Sequence, residues 1–160
     1  MTLSVGDRLP KTTLVKATAE GPQPLDSEAF FGGRRVAIFS VPGAFTPTCS
    51  ARHLPGFVER ADEIRGKGVD EVACVSVNDA FVMQAWGDSA GATGKVTMLA
   101  DGNGDFAQAI GLTMDGSKFG MGQRGQRWSA VVNDNVVEQL NVEEPGAFNV
   151  SSADYLIERL

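Results

Sequence analysis

The stretch Val36-Ala37-Ile38-Phe39-Ser40-Val41-Pro42-Gly43-Ala44-Phe45-Thr46-Pro47-Thr48-Cys49-Ser50 contains an apolar run that breaks at Pro42 and gives way to a helix start. Arg35 to Val41 reads as a buried strand. Downstream, Leu54, Phe57, Val58, Ala61 and Ile64 recur at three- and four-residue spacing. That stripe predicts a helix from Cys49 to Lys67, stopped by Gly68. A cysteine therefore sits in the first turn of a helix at the end of a strand. Pro55 interrupts the stripe; it removes a hydrogen bond to the carbonyl of Ala51 and predicts a kink, at a cost of roughly 3 kcal/mol.

Outward from this unit the pattern repeats. Glu71 to Val77 and Lys95 to Leu99 read as further strands, and Thr12 to Lys16 as a short N-terminal one. Gly21-Pro22-Gln23-Pro24 reads as a turn. Helices are expected at Asp26 to Gly32, from Asp79 to Trp86, and at Asp105 to Ile110. Arg127 to Val132 and Val136 to Val142 flank Asn133-Asp134-Asn135, a hairpin signal. Ser151 or Ser152 caps a last helix running to Leu160. Strands alternating with helices argue for parallel pairing, and the hairpin adds antiparallel strands. The expected fold class is α/β, with a mixed central sheet and helices on both faces. This order is compatible with a thioredoxin-like fold, and residues 1–160 read as a single domain.

Composition narrows the function classes. Hydrophobic residues make up 42% and charged residues 21%, which suits a globular core rather than a disordered chain. A net charge of −6 with no basic block argues against nucleic-acid binding. No apolar run approaches a membrane span, and Met1 to Pro10 offers no apolar leader. The expectation is a soluble cytoplasmic protein without a membrane partner. Two cysteines, Cys49 and Cys74, are too few for a disulfide scaffold and fit a reducing compartment. Cys74 lies inside Val72-Ala73-Cys74-Val75-Ser76-Val77 and reads as a small core residue.

The loop before Cys49 has its own chemistry. Pro47 suits the first helical position, which makes Thr46 the N-cap and Cys49 the third helical residue. A threonine cap accepts from a backbone N–H, leaving its own hydrogen free for a nearby anion. The positive end of the helix favours a thiolate, the nucleophilic form of cysteine. Local spacing fits equally well with a plain capped turn and a buried cysteine. His53, the only histidine, follows Cys49 by four residues and shares its face. With no third Cys or His nearby, a metal site lacks ligands. His53 reads as an electrostatic or packing neighbour in preference to a general base. In Gly122-Gln123-Arg124-Gly125-Gln126-Arg127-Trp128 the glycines make a loop, and Arg127 opens a strand, placed to hold an oxygen with its fork of donors.

Pro42, Thr46 and Cys49, followed by Arg127, reproduce the Pro-x-x-x-Thr-x-x-Cys pattern and distant arginine of the peroxiredoxins. Val41 to Ser50, His53-Leu54-Pro55-Gly56-Phe57-Val58, Ser76-Val77-Asn78-Asp79-Ala80-Phe81, Trp86-Gly87, Leu99-Ala100-Asp101 and Arg127 to Val132 resemble the type II (atypical) branch of that family. The resemblance covers essentially the whole chain. It implies a thioredoxin-like thiol peroxidase that reduces hydrogen peroxide and alkyl hydroperoxides with no cofactor. It implies Cys49 as peroxidatic cysteine, Thr46 and Arg127 as peroxide-holding residues, and Pro42 as the shield against water. It further implies Gly43, Phe45 and His53 as residues that support the pocket. Phe45 and Phe81 are candidate contacts of a homodimer. Ala147-Phe148-Asn149-Val150-Ser151 lacks the resolving cysteine that some members carry there. The implied cycle uses one cysteine, restored by glutathione with glutaredoxin, as in the members it most resembles, or by thioredoxin. A thiol-based redox sensor or chaperone-like interaction protein is the alternative.

Overall fold

A computed structural model describes residues 2–160. Its main sheet has seven strands: β1 (Thr13–Thr18), β2 (Gly21–Asp26), β3 (Arg35–Ser40), β4 (Glu71–Ser76), β5 (Thr97–Ala100), β8 (Trp128–Asn133) and β9 (Val136–Val142). Their spatial order is β2-β1-β5-β4-β3-β8-β9. β3, β4 and β5 pair in parallel, while β1, β2, β8 and β9 join antiparallel. This is the mixed α/β sheet of the thioredoxin-like class.

The strands alternate between two cores. Ala37 and Phe39 of β3, Val72 and Cys74 of β4, and Val131 of β8 point to one layer. There they meet Phe57, Ala61 and Ile64 of α2 (Leu54–Gly66), Met83 and Trp86 of α3 (Ala80–Ser89), and Leu156 of α5 (Ala153–Glu158). Val36, Ile38, Ala73, Val75, Ala130 and Val132 point the other way. They pack on Phe31 of α1 (Ser27–Phe31) and on Phe106 and Ile110 of α4 (Asp105–Ile110). The period of two sends successive side chains to opposite faces, and burial on both faces explains why the central strands are apolar throughout. Among the described residues, no helix is long and apolar enough to cross a membrane.

Three readings of the sequence need correction. Gly21-Pro22-Gln23-Pro24 is the start of β2, not a turn; the chain reverses at residues 19 and 20. β2 is an edge strand, where prolines are tolerated because no further strand needs their missing N–H groups. The glycine-rich segment before Arg127 is not all loop: β6 (Thr113–Asp115) and β7 (Gln123–Gly125) form a small second sheet. The helix over 49–67 is also two segments. Cys49–His53 is a π-helical turn, closed by the Leu54 N–H donating to the carbonyl of Cys49, and α2 follows with Pro55 in its first turn. The proline thus falls in the first turn of α2, and the chain takes a wider turn at the cysteine just before it. Such π-turns collect at functional sites.

The remaining caps follow the sequence. Asp26, Asp79 and Ser152 accept from the N–H groups of Glu28, Val82 and Tyr155. Asp134 and Asn135 take positive φ (48° and 68°) in the two-residue loop between β8 and β9, which both side chains tolerate.

Candidate active site

Strand β3 ends at Ser40, and the chain leaves the sheet through residues 41–46 before the helical turn at Cys49. Three contacts hold this loop. The Val41 N–H donates to the Val75 carbonyl (3.2 Å). The Ala44 N–H donates to Asn78 Oδ1 (3.0 Å), whose oxygen also lies 2.7 Å from the Ser76 hydroxyl. The Thr46 hydroxyl donates to the Gly43 carbonyl (2.7 Å). The expected side-chain cap by Thr46 is therefore absent, and its hydrogen is already engaged. Its backbone carbonyl does begin the helix, accepting from the Ser50 N–H at 2.9 Å.

Each neighbour of Cys49 has a definable place. Pro42 stands half-buried at the start of the loop. Gly43 is buried, and a Cβ there would come within 3.0 Å of Met121 Cε and 3.2 Å of Thr46 Cγ2. Phe45 takes a left-handed conformation (φ 65°), which costs a side-chain-bearing residue about 1–2 kcal/mol. Its ring is 54% exposed, 6.4 Å from that of Trp86. Trp86 in turn donates its indole N–H to the Ser50 hydroxyl (3.0 Å), tying the π-turn to α3.

Arg127, just ahead of β8, reaches the cysteine across the sheet end. Its Nη2 donates to Cys49 Sγ at 3.1 Å, and its Nη1 donates to His53 Nδ1 at 2.8 Å. The other ring nitrogen of His53 lies 2.9 Å from the Ser151 carbonyl. Arginine can only donate and a carbonyl can only accept, so these partners require the neutral Nε2–H tautomer. Burial, reinforced by the Arg127 charge and opposed by the Ser151 hydrogen bond, pushes the imidazole pKa down to about 3. His53 is thus a neutral, fully buried acceptor that orients Arg127, with no proton-accepting nitrogen left for Cys49.

Aromatic rings enclose this pair. Phe39 stacks on Phe57 (4.1 Å) and lies 4.7 Å from the His53 ring. Phe148 meets His53 edge-on at 5.0 Å and sits under the guanidiniums of Arg52 (4.6 Å) and Arg127 (5.8 Å). Exclusion of water by such rings strengthens the charge–sulfur contact.

Cys74 lies at the centre of the sheet, opposite Phe39 on one side and Met98 on the other. It is fully buried, and burial pushes its thiol well above the ordinary range, aided by nearby Cys49 and opposed by Arg127. Both cysteines are free.

The structure thus gathers Cys49, Arg127, His53 and the Gly43–Thr46 turn. Sequence reasoning gave no site role to Asn78, which tethers the loop, to Trp86, which anchors the π-turn, or to Phe148, Ser151 and Glu143. Asn78 and Ser151 carried a local signal, each as a residue at a helix start.

A mixed thioredoxin-like sheet with a helix-start cysteine held against an arginine defines a thiol-based redox enzyme. The redoxin family matches residues 4–157. Peroxiredoxin-2E of Arabidopsis thaliana, a chloroplastic protein, is 44% identical over 162 residues, covering 99% of this chain and 69% of its own. Peroxiredoxin-2B of the same plant is 42% identical, covering 99% and 98%. The crystal structure of reduced Prx3 from Vibrio vulnificus in complex with hydrogen peroxide superimposes with a TM-score of 0.95, at 46% identity and 99% coverage of both chains. The chain belongs to the redoxin family and is a peroxiredoxin, a thiol peroxidase that acts on hydroperoxides at the expense of a thiol reductant.

Proposed function

We propose that Cys49 is the peroxidatic residue and that Arg127 and Thr46 hold the peroxide against it. The carrying observation is the 3.1 Å contact from Arg127 Nη2 to Cys49 Sγ, fixed from behind by neutral His53. The thiolate sulfur attacks one peroxide oxygen. An S–O bond forms, the O–O bond breaks, and the second oxygen leaves with the bonding pair as hydroxide or alkoxide. It takes up one proton to become water or alcohol. Cys49 is left as sulfenic acid. Arg127 stabilises the charge developing on the leaving oxygen, as preorganised donors do. Pro42 shields the sulfur from bulk water, while Gly43 and Phe45 shape the turn in which the Thr46 hydroxyl gives its hydrogen to the Gly43 carbonyl and keeps its oxygen to accept from the peroxide O–H. The peroxide-bound state of the Vibrio vulnificus relative supports hydrogen peroxide as a substrate.

The return to thiol uses an external reductant. Cys74 sits in the middle of the sheet and would have to leave its strand to meet Cys49. Residues 147–151 supply no cysteine. A glutathione thiolate attacks the sulfenic sulfur, forming the S–S bond of a mixed disulfide as the S–O bond breaks and hydroxide leaves, which takes up one proton to become water. Glutaredoxin then transfers that disulfide to itself and frees Cys49; thioredoxin is the competing donor. A reducing, cytoplasmic setting fits a catalytic thiol that must be restored every turnover. Phe45 in the active-site turn (54% exposed) and Phe81 in the first turn of α3 (71% exposed) are large apolar side chains left to solvent, which supports a homodimer through them.

Peroxide consumption is compared with glutaredoxin plus glutathione and with thioredoxin as donor. Faster turnover with the first is expected. Saturating turnover with thioredoxin alone would transfer the role, and activity in Cys49→Ser would remove the assignment of Cys49.

A further inference from the structure

We propose that Glu143 is a positioning residue for Arg127, acting through the 149–151 loop and His53. This rests on Arg127 being the residue that holds the peroxide. Glu143 follows β9 and is buried (7% exposed). One carboxylate oxygen, Oε2, accepts four hydrogen bonds: from the N–H groups of Asn149 (2.7 Å), Val150 (2.9 Å) and Ser151 (2.8 Å), and from the Ser151 hydroxyl (2.7 Å). A buried carboxylate receiving so many donors fixes the segment that supplies them. The carbonyl at the end of that segment, Ser151, takes the Nε2–H of His53. His53 Nδ1 takes the Nη1–H of Arg127. The Glu143 backbone N–H donates to the carbonyl of Arg127 (3.0 Å).

The bonds form a closed ring that begins and ends on Arg127. Glu143 holds that residue's backbone directly and its side chain through the loop and the imidazole. The ring has a chemical direction. Only a carbonyl placed at Nε2 forces the tautomer whose Nδ1 can accept from arginine. Without that anchor, the imidazole can turn or change tautomer, and Nη1 loses its acceptor. The guanidinium then no longer presents Nη2 to the sulfur in one geometry. Phe148, in the same loop, also touches His53 and Arg127, so loosening the loop removes their cover as well.

The test is a double-mutant cycle on the rate of Cys49 oxidation by hydrogen peroxide, followed by rapid mixing and intrinsic fluorescence. Glu143→Gln keeps one acceptor oxygen but removes the charge; Glu143→Ala removes both. Misplacement of a catalytic group by a fraction of an ångström predicts losses of about threefold for Gln and about tenfold or more for Ala. In an Arg127→Gln background both should fall below about twofold, because the target of the positioning is gone. Equal fractional losses in the two backgrounds, or unchanged rates in both variants, would overturn the proposal. His53 is the only histidine, so its two nitrogen resonances can be read without assignment. They should report a pure Nε2–H tautomer in the wild type and a mixture in the variants. Should Glu143→Ala not fold, Glu143→Gln decides: a slower rate with mixed tautomers supports the ring, and an unchanged rate or a pure tautomer overturns it. Wild-type oxidation by Arg127→Gln alone would instead remove the role of Arg127, a distinct failure.

Discussion

Arg127 Nη2 stands 3.1 Å from Cys49 Sγ, although 78 positions separate the two residues along the chain. The same guanidinium gives its Nη1 to His53 at 2.8 Å. One planar fork therefore serves both the sulfur and the group that orients it. Lysine has a single nitrogen and cannot span the two partners. Arg127→Lys is expected to lose about as much as Arg127→Gln, on the order of a hundredfold in the rate of peroxide reduction. Stopped-flow oxidation of the reduced protein measures this; a lysine variant within a few-fold of wild type would show that charge alone suffices.

Cys49 and Cys74 should separate cleanly. Cys49→Ser is expected to abolish peroxide consumption. Cys74→Ser places a hydroxyl in the centre of the sheet, which costs about 1–3 kcal/mol of stability, while turnover with glutaredoxin stays largely intact. Denaturant midpoints and steady-state rates on the same samples show the split. Loss of turnover in a folded Cys74→Ser protein would make Cys74 the resolving residue.

The buried imidazole makes stability sensitive to acid. His53 has a pKa of about 3 in the folded protein against the ordinary 6.5 when unfolded. Above 6.5 both states are neutral and the residue contributes no pH dependence. Below 6.5 the unfolded chain takes up a proton that the folded one refuses, so stability falls as the pH drops toward 3. By pH 4 the loss from this group is on the order of 3 kcal/mol. Urea midpoints of wild type and His53→Gln, measured from pH 7 to 4, should converge as the pH falls. Parallel curves would show that His53 does not titrate in this way.

The Gly43–Thr46 turn tolerates little change. Thr46→Val keeps the shape but removes the bond to the Gly43 carbonyl, worth about 1 kcal/mol, and with it the hydroxyl proposed to hold the peroxide. Gly43→Ala pushes a methyl toward Thr46 Cγ2 and Met121 Cε. The methionine end can yield, but the threonine is held from both sides, and a cost of about 1–3 kcal/mol is expected. Both variants should fold with lowered melting temperatures and slowed peroxide reduction; an unaffected rate in Thr46→Val would remove Thr46 from the reaction.

Much of this is legible in the sequence. The apolar run Arg35 to Val41, the stripe from Leu54 to Ile64 and the apolar core of Glu71 to Val77 follow from burial on one or two faces, a local property of the chain. The caps at Asp26, Asp79 and Ser152 depend on bonds two or three residues long. β2 was hidden because its prolines mimic a turn, and an edge strand is the one place in a sheet that accepts them. The small β6–β7 sheet was hidden by glycines that local reading assigns to loops.

By itself, the sequence determined that a cysteine begins a helix after a buried strand, with Thr46 and Pro47 at the helix start and an arginine at a later strand. It could not decide which atoms meet. The π-turn depends on where Pro55 falls relative to Cys49, and the tautomer of His53 depends on a carbonyl 98 residues away. The Glu143 ring joins three segments that share no local pattern. Such contacts arise only when the sheet brings the ends of β3, β8 and β9 together, because hydrogen-bond directionality and burial act through space, whereas the signals of a sequence act along it.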